Sequence, residues 1–285
     1  MQFDYAAAFS RNIGWLTEAE QQTLRGKRVA IAGMGGVGGI HLLTLARLGI
    51  EKFTIADLDT FELANFNRQA GANMNSLGLA KVEVLAQAVR EINPECALDI
   101  YPAGVNETNL PDFFKDVDIY VDGLDFFAFD ARERVFAYCA QHGIPAVTVA
   151  PLGISGALLN FLPGGMSFEQ YFQLDGHPEL EKAVRFLIGL APALLHRHYL
   201  ADKSRVDLKA GKGPSTIMAC QLCAGIAASE AFKILLQRGR VWAAPHGIQF
   251  DGYRNKLVHT WRPGGNRNPI NRLALAIARH QLGIK

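Results

Sequence analysis

A chain of 285 residues, 49% of them apolar, can bury one large core or two small ones. Its 29 basic and 27 acidic residues leave a net charge of +2, which as a total points to no class of partner. Four cysteines, Cys96, Cys139, Cys220 and Cys223, exclude the dense disulfide framework of a small secreted fold and suit a reducing compartment.

The first ten residues contain Asp4 and lack the cationic then long apolar layout of a signal peptide, so a cytoplasmic location is expected. Val29 to Ala32 read as a short buried strand. Gly33, Gly35 and Gly38 follow in G-x-G-x-x-G register, and Ile40 to Leu48 repeats apolar residues at helical spacing. Glycine lets a backbone turn sharply and approach a phosphate, whose charge is attracted by the free N–H groups of the next helix. A second strand, Phe53 to Ala56, ends in Asp57, about the ~20-residue distance at which a carboxylate receives a ribose hydroxyl. These features together predict a nucleotide site.

The strings DLDTFELANFNRQ and GLAKVEVL come next and carry Asn65, Arg68, Gln69 and Lys81. Hydride transfer needs little positive charge there, whereas cleavage of a triphosphate does, and Arg and Lys both bind phosphate oxygens strongly once water is excluded. Helical stretches at Ala80–Ile92 and Ala131–His142 separate apolar runs at Ala97–Tyr101, Asp118–Val121 and Ala146–Val149, and a further run spans Gly156–Leu162. This alternation predicts an α/β fold: a Rossmann-like, mainly parallel sheet with crossover helices. Asn93-Pro94 and Gly143-Ile144-Pro145 mark two helix ends.

No proline- or serine-rich linker divides the chain, so one globular unit is expected, with an embedded excursion from Pro163 to Pro214 whose helical pattern over Glu179–Leu195 is interrupted by Gly189 and Pro192. Its apolar run Phe186–Leu195 falls short of the ~20 residues of a membrane span, so no transmembrane segment is expected. Cys220 and Cys223 open an alanine-rich helical stretch running to Leu236; they form a single C-x-x-C pair, and structural zinc, even with His196 and His198, is not expected. Ile248–Asp251 and Lys256–Trp261 read as a hairpin, an antiparallel C-terminal extension of the sheet. Nothing after Asp251 is acidic, while seven cations, Arg254, Lys256, Arg262, Arg267, Arg272, Arg279 and Lys285, occupy that stretch. Ile270, Leu273 and Ile277 recur at helical spacing there, predicting a basic amphipathic helix over Ile270–Gln281 that docks by this apolar face with its basic face solvated, or that meets RNA, an acidic carrier protein or an anionic membrane surface.

The GxGGxG loop (Gly33, Gly35, Gly36, Gly38), the D-x-D-x-x-x-x-x-N-x-x-R-Q string from Asp57, the G-x-x-K-V-E segment and V-D-G-L-D (Val121 to Asp125) occur in this order. In them the chain, from about Phe9 to Trp261, resembles the ThiF/MoeB-type, ubiquitin-activating-enzyme-like adenylyltransferases. The resemblance implies ATP-dependent activation, in which a carboxylate attacks the α-phosphate to give an acyl-adenylate and pyrophosphate. It implies that Asp57 holds the ribose beside Asp59, that Asn65, Arg68 and Lys81 contact the triphosphate, and that Gln69 completes the motif. Asp125 would bind Mg²⁺, a role suited to a hard carboxylate. Arg11 would reach across a homodimer interface to the partner's ATP. Phe126 stands where many relatives have Asn, and two extra residues precede Arg132.

The resemblance also divides the chain into segment 1–26 at the dimer interface, a nucleotide-binding part 27–162, a crossover segment 163–214, helix and hairpin 215–261 of the same domain, and a basic tail helix 262–285. It leaves the substrate open among a ubiquitin-like or sulfur-carrier protein C-terminus, a peptide carboxylate and a modified tRNA. Residues 151–219 contain no cysteine for a thioester, which favours direct capture of the acyl-adenylate. A nicotinamide-dependent oxidoreductase and a non-catalytic nucleotide-binding scaffold are the alternatives from other classes.

Overall fold

The computed structural model describes residues 2–284; Met1 and Lys285, the last of the tail cations, lie outside the described residues. Two compact units are present in place of the one expected, Met1–Leu124 with Ala224–Val241, and Asp125–Cys223 with Trp242–Lys285.

In the first unit, strands β1 (Arg28–Ala32), β2 (Lys52–Ala56), β3 (Ala97–Tyr101) and β4 (Ile119–Asp122) lie in the order β3-β2-β1-β4 and pair in parallel. Parallel strands are covered on both faces, so they read as unbroken apolar runs. Val29, Ile31, Phe53 and Ile55 are each 0% exposed, and burying one such side chain stabilises the fold by ~1.5–3 kcal/mol. The outermost strand β3 is only half covered, as an edge strand carrying Asp99 can be.

Two short helices open the chain, α1 (Tyr5–Ala8) and α2 (Glu18–Gly26), the second started by a Thr17/Glu20 capping box that satisfies two orphan N–H donors. The crossovers are α3 (Gly38–Arg47) between β1 and β2 and α4 (Lys81–Ile92) between β2 and β3. A four-residue helix, α5 (Leu110–Phe113), precedes β4.

The second unit contains β5 (Ala146–Leu152), β6 (Ser155–Phe161), β7 (His246–Asp251) and β8 (Lys256–Trp261), paired antiparallel in that order. Along β7, buried and half-buried residues alternate, the signature of an antiparallel strand with unequal faces. Helix α6 (Phe129–His142) stops at Gly143, whose φ of +67° only glycine adopts without strain. The 163–214 segment folds as α7 (Phe168–Phe172), α8 (Glu179–Leu190) and two short 3-10 turns, so the interrupted pattern ends as a helix at Leu190.

Helix α9 (Ile217–Leu235) carries residues of both units. By length and a hydropathy of 1.3 it meets the requirements of a membrane span, and Ala219, Cys220, Cys223, Ala224, Ala227 and Ala231 along it are buried in protein. The tail forms α10 (Pro269–Leu282), as the sequence predicts, but on a different face. Ile270, Leu273 and Ile277 are 58%, 64% and 48% exposed. Leu275 instead packs with Ala274, Ala278 and Leu282 against Val184 and Ile188 of α8. Arg279 pairs with Glu181, whose carboxyl its two arginine partners, Arg279 and Arg185, hold below the usual range against the opposing effect of burial.

Candidate nucleotide site

The glycine loop is built by backbone-to-backbone contact. Gly33 leaves β1 at φ +88° and donates its N–H to the Ala56 carbonyl at 2.7 Å. A Cβ on Gly33 would sit 2.2 Å from the Gly123 oxygen, one on Gly38 1.8 Å from the Gly33 oxygen, and one on Gly123 2.4 Å from the same atom. Three glycines therefore close on each other, and any side chain would force them apart. Gly35 and Gly36 are half-buried, and a Cβ on Gly35 would meet only the Gln69 Nε2, at 3.9 Å. The N-cap of α3, Val37, offers no side-chain bond, so first-turn N–H donors stay available for an anion.

Asp57 ties this loop to the end of β2. Its Oδ2 accepts the Met34 N–H and its Oδ1 accepts the Asp59 N–H at 2.8 Å. Each oxygen retains a second lone pair for a ligand hydroxyl. Lys81, only 6% exposed in its side chain, places Nζ 2.8 Å from Oδ2 of the solvent-facing Asp59, and its own N–H donates to the Asp59 carbonyl at 3.0 Å. Asn65 is buried and its Oδ1 accepts the Glu62 N–H at 3.0 Å, a local capping bond. Gln69 is 7% exposed, and its Oε1 has no partner among the described residues. A buried acceptor costs ~1–3 kcal/mol unless something donates to it, so this atom beside the glycine loop fits a ligand donor.

The first unit thus brings together Gly33, Gly35, Gly36, Gly38, Asp57, Asp59, Gln69 and Lys81. Arg68 is turned back on its own segment, Nη1 donating to the Ala64 carbonyl at 3.0 Å and to Asn67 Oδ1 at 2.9 Å. Arg11 is exposed in the 3-10 turn Ser10–Asn12.

In the second unit Asp125 is exposed; its Oδ1 accepts the Phe127 N–H at 3.0 Å, and its Oδ2 has no partner among the described residues. A free, hard carboxylate oxygen fits Mg²⁺, which takes one or two such ligands and completes its shell with phosphate oxygens and water. Phe126 lies in an aromatic cluster, its ring 5.1 Å from that of Phe186. No group of three or more His, Cys, Asp or Glu side chains among the described residues is placed to hold a metal ion. Burial pushes the Cys223 thiol well above its usual range, which disfavours the thiolate that a thioester-forming nucleophile needs.

Sequence reasoning missed three residues. Gly123 closes the glycine triangle, although it lies within the V-D-G-L-D string that carries part of the resemblance. Arg132, 2% exposed, donates Nη2 to the Asp125 carbonyl at 2.9 Å and Nη1 to the Phe126 carbonyl at 3.2 Å. His41, on α3 one turn beyond the loop, is 1% exposed, with neither ring nitrogen partnered among the described residues. Burial lowers its pKa to about 4, outweighing the opposing pull of Asp122.

Comparison with known proteins gives this geometry a context. The tRNA threonylcarbamoyladenosine dehydratase of Escherichia coli (strain K12) is 34% identical over 137 residues, 48% of this chain and 50% of that protein. A probable molybdopterin-synthase adenylyltransferase of Porphyra purpurea is 26% identical over 179 residues, 61% of this chain and 46% of that one. The chain thus spans about half the length of these curated relatives. The crystal structure of E. coli MccB with ATP superposes with a TM-score of 0.66 at 18% identity, covering 89% of this chain and 70% of that one, a likeness of fold. The profile of the ThiF family matches residues 9–272, nearly the whole chain, which therefore belongs to the ThiF family.

Proposed function

We propose that this protein is an ATP-dependent adenylyltransferase. A substrate carboxylate oxygen attacks the α-phosphorus of ATP, the bond to the bridging oxygen of the β-phosphate breaks, and acyl-adenylate and pyrophosphate are the products. The observation that carries the reading is the glycine triangle with a buried lysine near it, a cradle for phosphates together with a cation; the unpartnered Gln69 oxygen offers an acceptor to a ligand hydroxyl or amino group. ATP in the MccB structure of the same fold supports the choice of nucleotide.

Within this reading the Gly33–Gly38 backbone and the first turn of α3 receive phosphate oxygens, and Asp57 orients the ribose with Asp59 beside it. Lys81 leaves Asp59 for the triphosphate, where a point charge in a water-poor site stabilises the charge that builds on the leaving pyrophosphate. Asn65 and Arg68 line the phosphate path; Arg68 reaches it by a rotamer change that releases Ala64 and Asn67. Asp125 holds Mg²⁺, which when bound neutralises phosphate charge. A homodimer brings Arg11 of one protomer to the nucleotide of the other.

The acceptor is a carboxylate on a ubiquitin-like or sulfur-carrier protein, a peptide or a modified tRNA, the last favoured by the name of the E. coli relative. With no cysteine in residues 151–219, a separate nucleophile captures the acyl-adenylate directly. A nicotinamide-dependent oxidoreductase would share the loop and Asp57 but give Lys81 no task.

The test is carboxylate-dependent exchange of labelled pyrophosphate into ATP. Exchange that falls ~10²–10³-fold in Lys81→Ala, with melting temperature kept, is the expected result for loss of one charge-stabilising group. Tight dinucleotide binding with no affinity for ATP would overturn the reading.

A further inference from the structure

The Asp125 turn is held by a side chain to which neither the family motifs nor the comparisons give a role. Arg132 is among the largest fully buried side chains. Burying a guanidinium costs several kcal/mol unless its N–H groups find acceptors, and two of those acceptors are the consecutive carbonyls of Asp125 and Phe126. The Asp125 carbonyl also accepts the Ala128 N–H at 3.0 Å, and the Asp125 carboxylate accepts the Phe127 N–H. These bonds fix both the peptide plane and the direction of the side chain.

The guanidinium carbon of the same side chain lies over the ring of Phe186, 4.8 Å from its centroid, on α8 of the 163–214 segment. Phe186 in turn packs against Phe126 and against Phe129, 5.8 Å away between centroids. A planar fork holds two carbonyls in a fixed geometry while its carbon sits over a ring; a lysine ammonium, a point charge on a flexible stem, fixes neither direction.

We infer that Arg132 is a positioning residue: it aims the Asp125 carboxylate and couples that aim, through Phe186, to helix α8. The inference rests on the reading of Asp125 as the cation ligand. Arg132 is buried and bonds the backbone of the turn, so its loss acts through the ligand it orients; removing such a partner of a metal ligand typically weakens metal binding by about 10–100-fold.

The test measures Mn²⁺ binding to the full chain by electron paramagnetic resonance, with a non-hydrolysable ATP analogue present. Nucleotide affinity without metal and melting temperature are measured alongside. Arg132→Lys is expected to weaken Mn²⁺ binding about 10-fold while metal-free nucleotide affinity stays within about twofold. Phe186→Leu, which keeps the core apolar, is expected to shift Mn²⁺ binding the same way by about threefold. It stands in if the lysine variant does not fold.

Asp125→Asn should lose the tight site, and adding Arg132→Lys to it should cost nothing more. Wild-type Mn²⁺ affinity in folded Arg132→Lys or Phe186→Leu, with Asp125→Asn impaired, overturns the inference. Equal loss of metal-free nucleotide affinity makes Arg132 merely structural and overturns it too. Wild-type Mn²⁺ affinity in Asp125→Asn locates the failure in the reading of Asp125 itself.

Discussion

His41 should make the stability of the nucleotide-binding unit depend on pH. Its pKa falls from an ordinary 6.5 to about 4 in the folded chain because burial disfavours the imidazolium. The folded state therefore prefers the neutral ring, and between pH 6.5 and 4 the unfolded chain binds a proton that the folded chain refuses. Stability is complete above the unfolded pKa and is lost as pH falls toward the folded one. A gap of about 2.5 pKa units amounts to about 3 kcal/mol, reached near pH 4, with a slope approaching 1.4 kcal/mol per pH unit in the middle of the window. His196, lowered to about 4 mainly by burial, adds a similar slope, so the contribution of His41 is the difference between wild type and His41→Leu. At pH 7 that variant should be as stable as wild type or more stable by about 1–2 kcal/mol, since it removes buried nitrogens without partners. By pH 4 its advantage should widen by about 3 kcal/mol. Urea titrations at pH 7, 6, 5 and 4, followed by circular dichroism, measure the difference, and the ¹⁵N resonances of the ring report its pKa directly. Parallel stability-versus-pH curves for the two proteins, or an imidazole that titrates near 6.5, would refute the reasoning.

Gly38→Ala places a methyl where only 1.8 Å separates it from the Gly33 oxygen, so the triangle must open. Calorimetry should find ATP binding abolished and stability lower by about 1–3 kcal/mol, the cost of overpacking; Gly35→Ala, whose Cβ has room, is expected to keep the stability. Arg279→Ala removes one of the two arginine partners of Glu181, whose side chain is 5% exposed, and should cost about 1–3 kcal/mol. The loss should appear as faster proteolysis within α10. Because the Glu181 carboxyl is held below its usual range, the contribution of this cluster is present above the unfolded pKa and fades as pH falls through the folded one.

The strands were readable because their environment leaves a simple mark. β1 and β2 are covered on both faces, which favours nearly continuous apolar runs, interrupted in β2 only by the buried Thr54; β7 and β8 are bounded by the turn residues Gly252 to Asn255. The face of α10 that docks differs from the one its periodicity suggests for an equally physical reason. Two stripes run along that helix at helical spacing, one of Ile270, Leu273 and Ile277, the other of Asn271, Leu275, Ala278 and Leu282. Hydrophobicity favours the first. The second prevails because Ala274 and Ala278 pack against α8, because Arg279 finds Glu181 on that helix, and because Asn271 bonds to Arg262 in the segment before α10. Steric fit and pairing across a distant contact leave no periodic trace.

The same distinction runs through the site. A glycine loop is legible because its requirement is local, a turn between strand and helix. Gly123 and Arg132 answer requirements set far along the chain, a backbone closing on Gly33 and a ring on α8, and neither requirement has a spacing. Asp57 shows that a legible residue can carry a second task its spacing does not announce. Its spacing from the loop announces a ribose ligand, yet both of its oxygens already hold backbone N–H groups, one of them in the loop itself. Replacing it would loosen the cradle and remove a ribose acceptor at once, so lost ATP binding in Asp57→Ala could not be assigned to either. Lys81 separates the two effects, because its partner Asp59 faces solvent and is left unpaired without being buried. A charge removed there alters what the site can do to a phosphate while leaving the cradle intact, which is why the assignment of activity rests on Lys81.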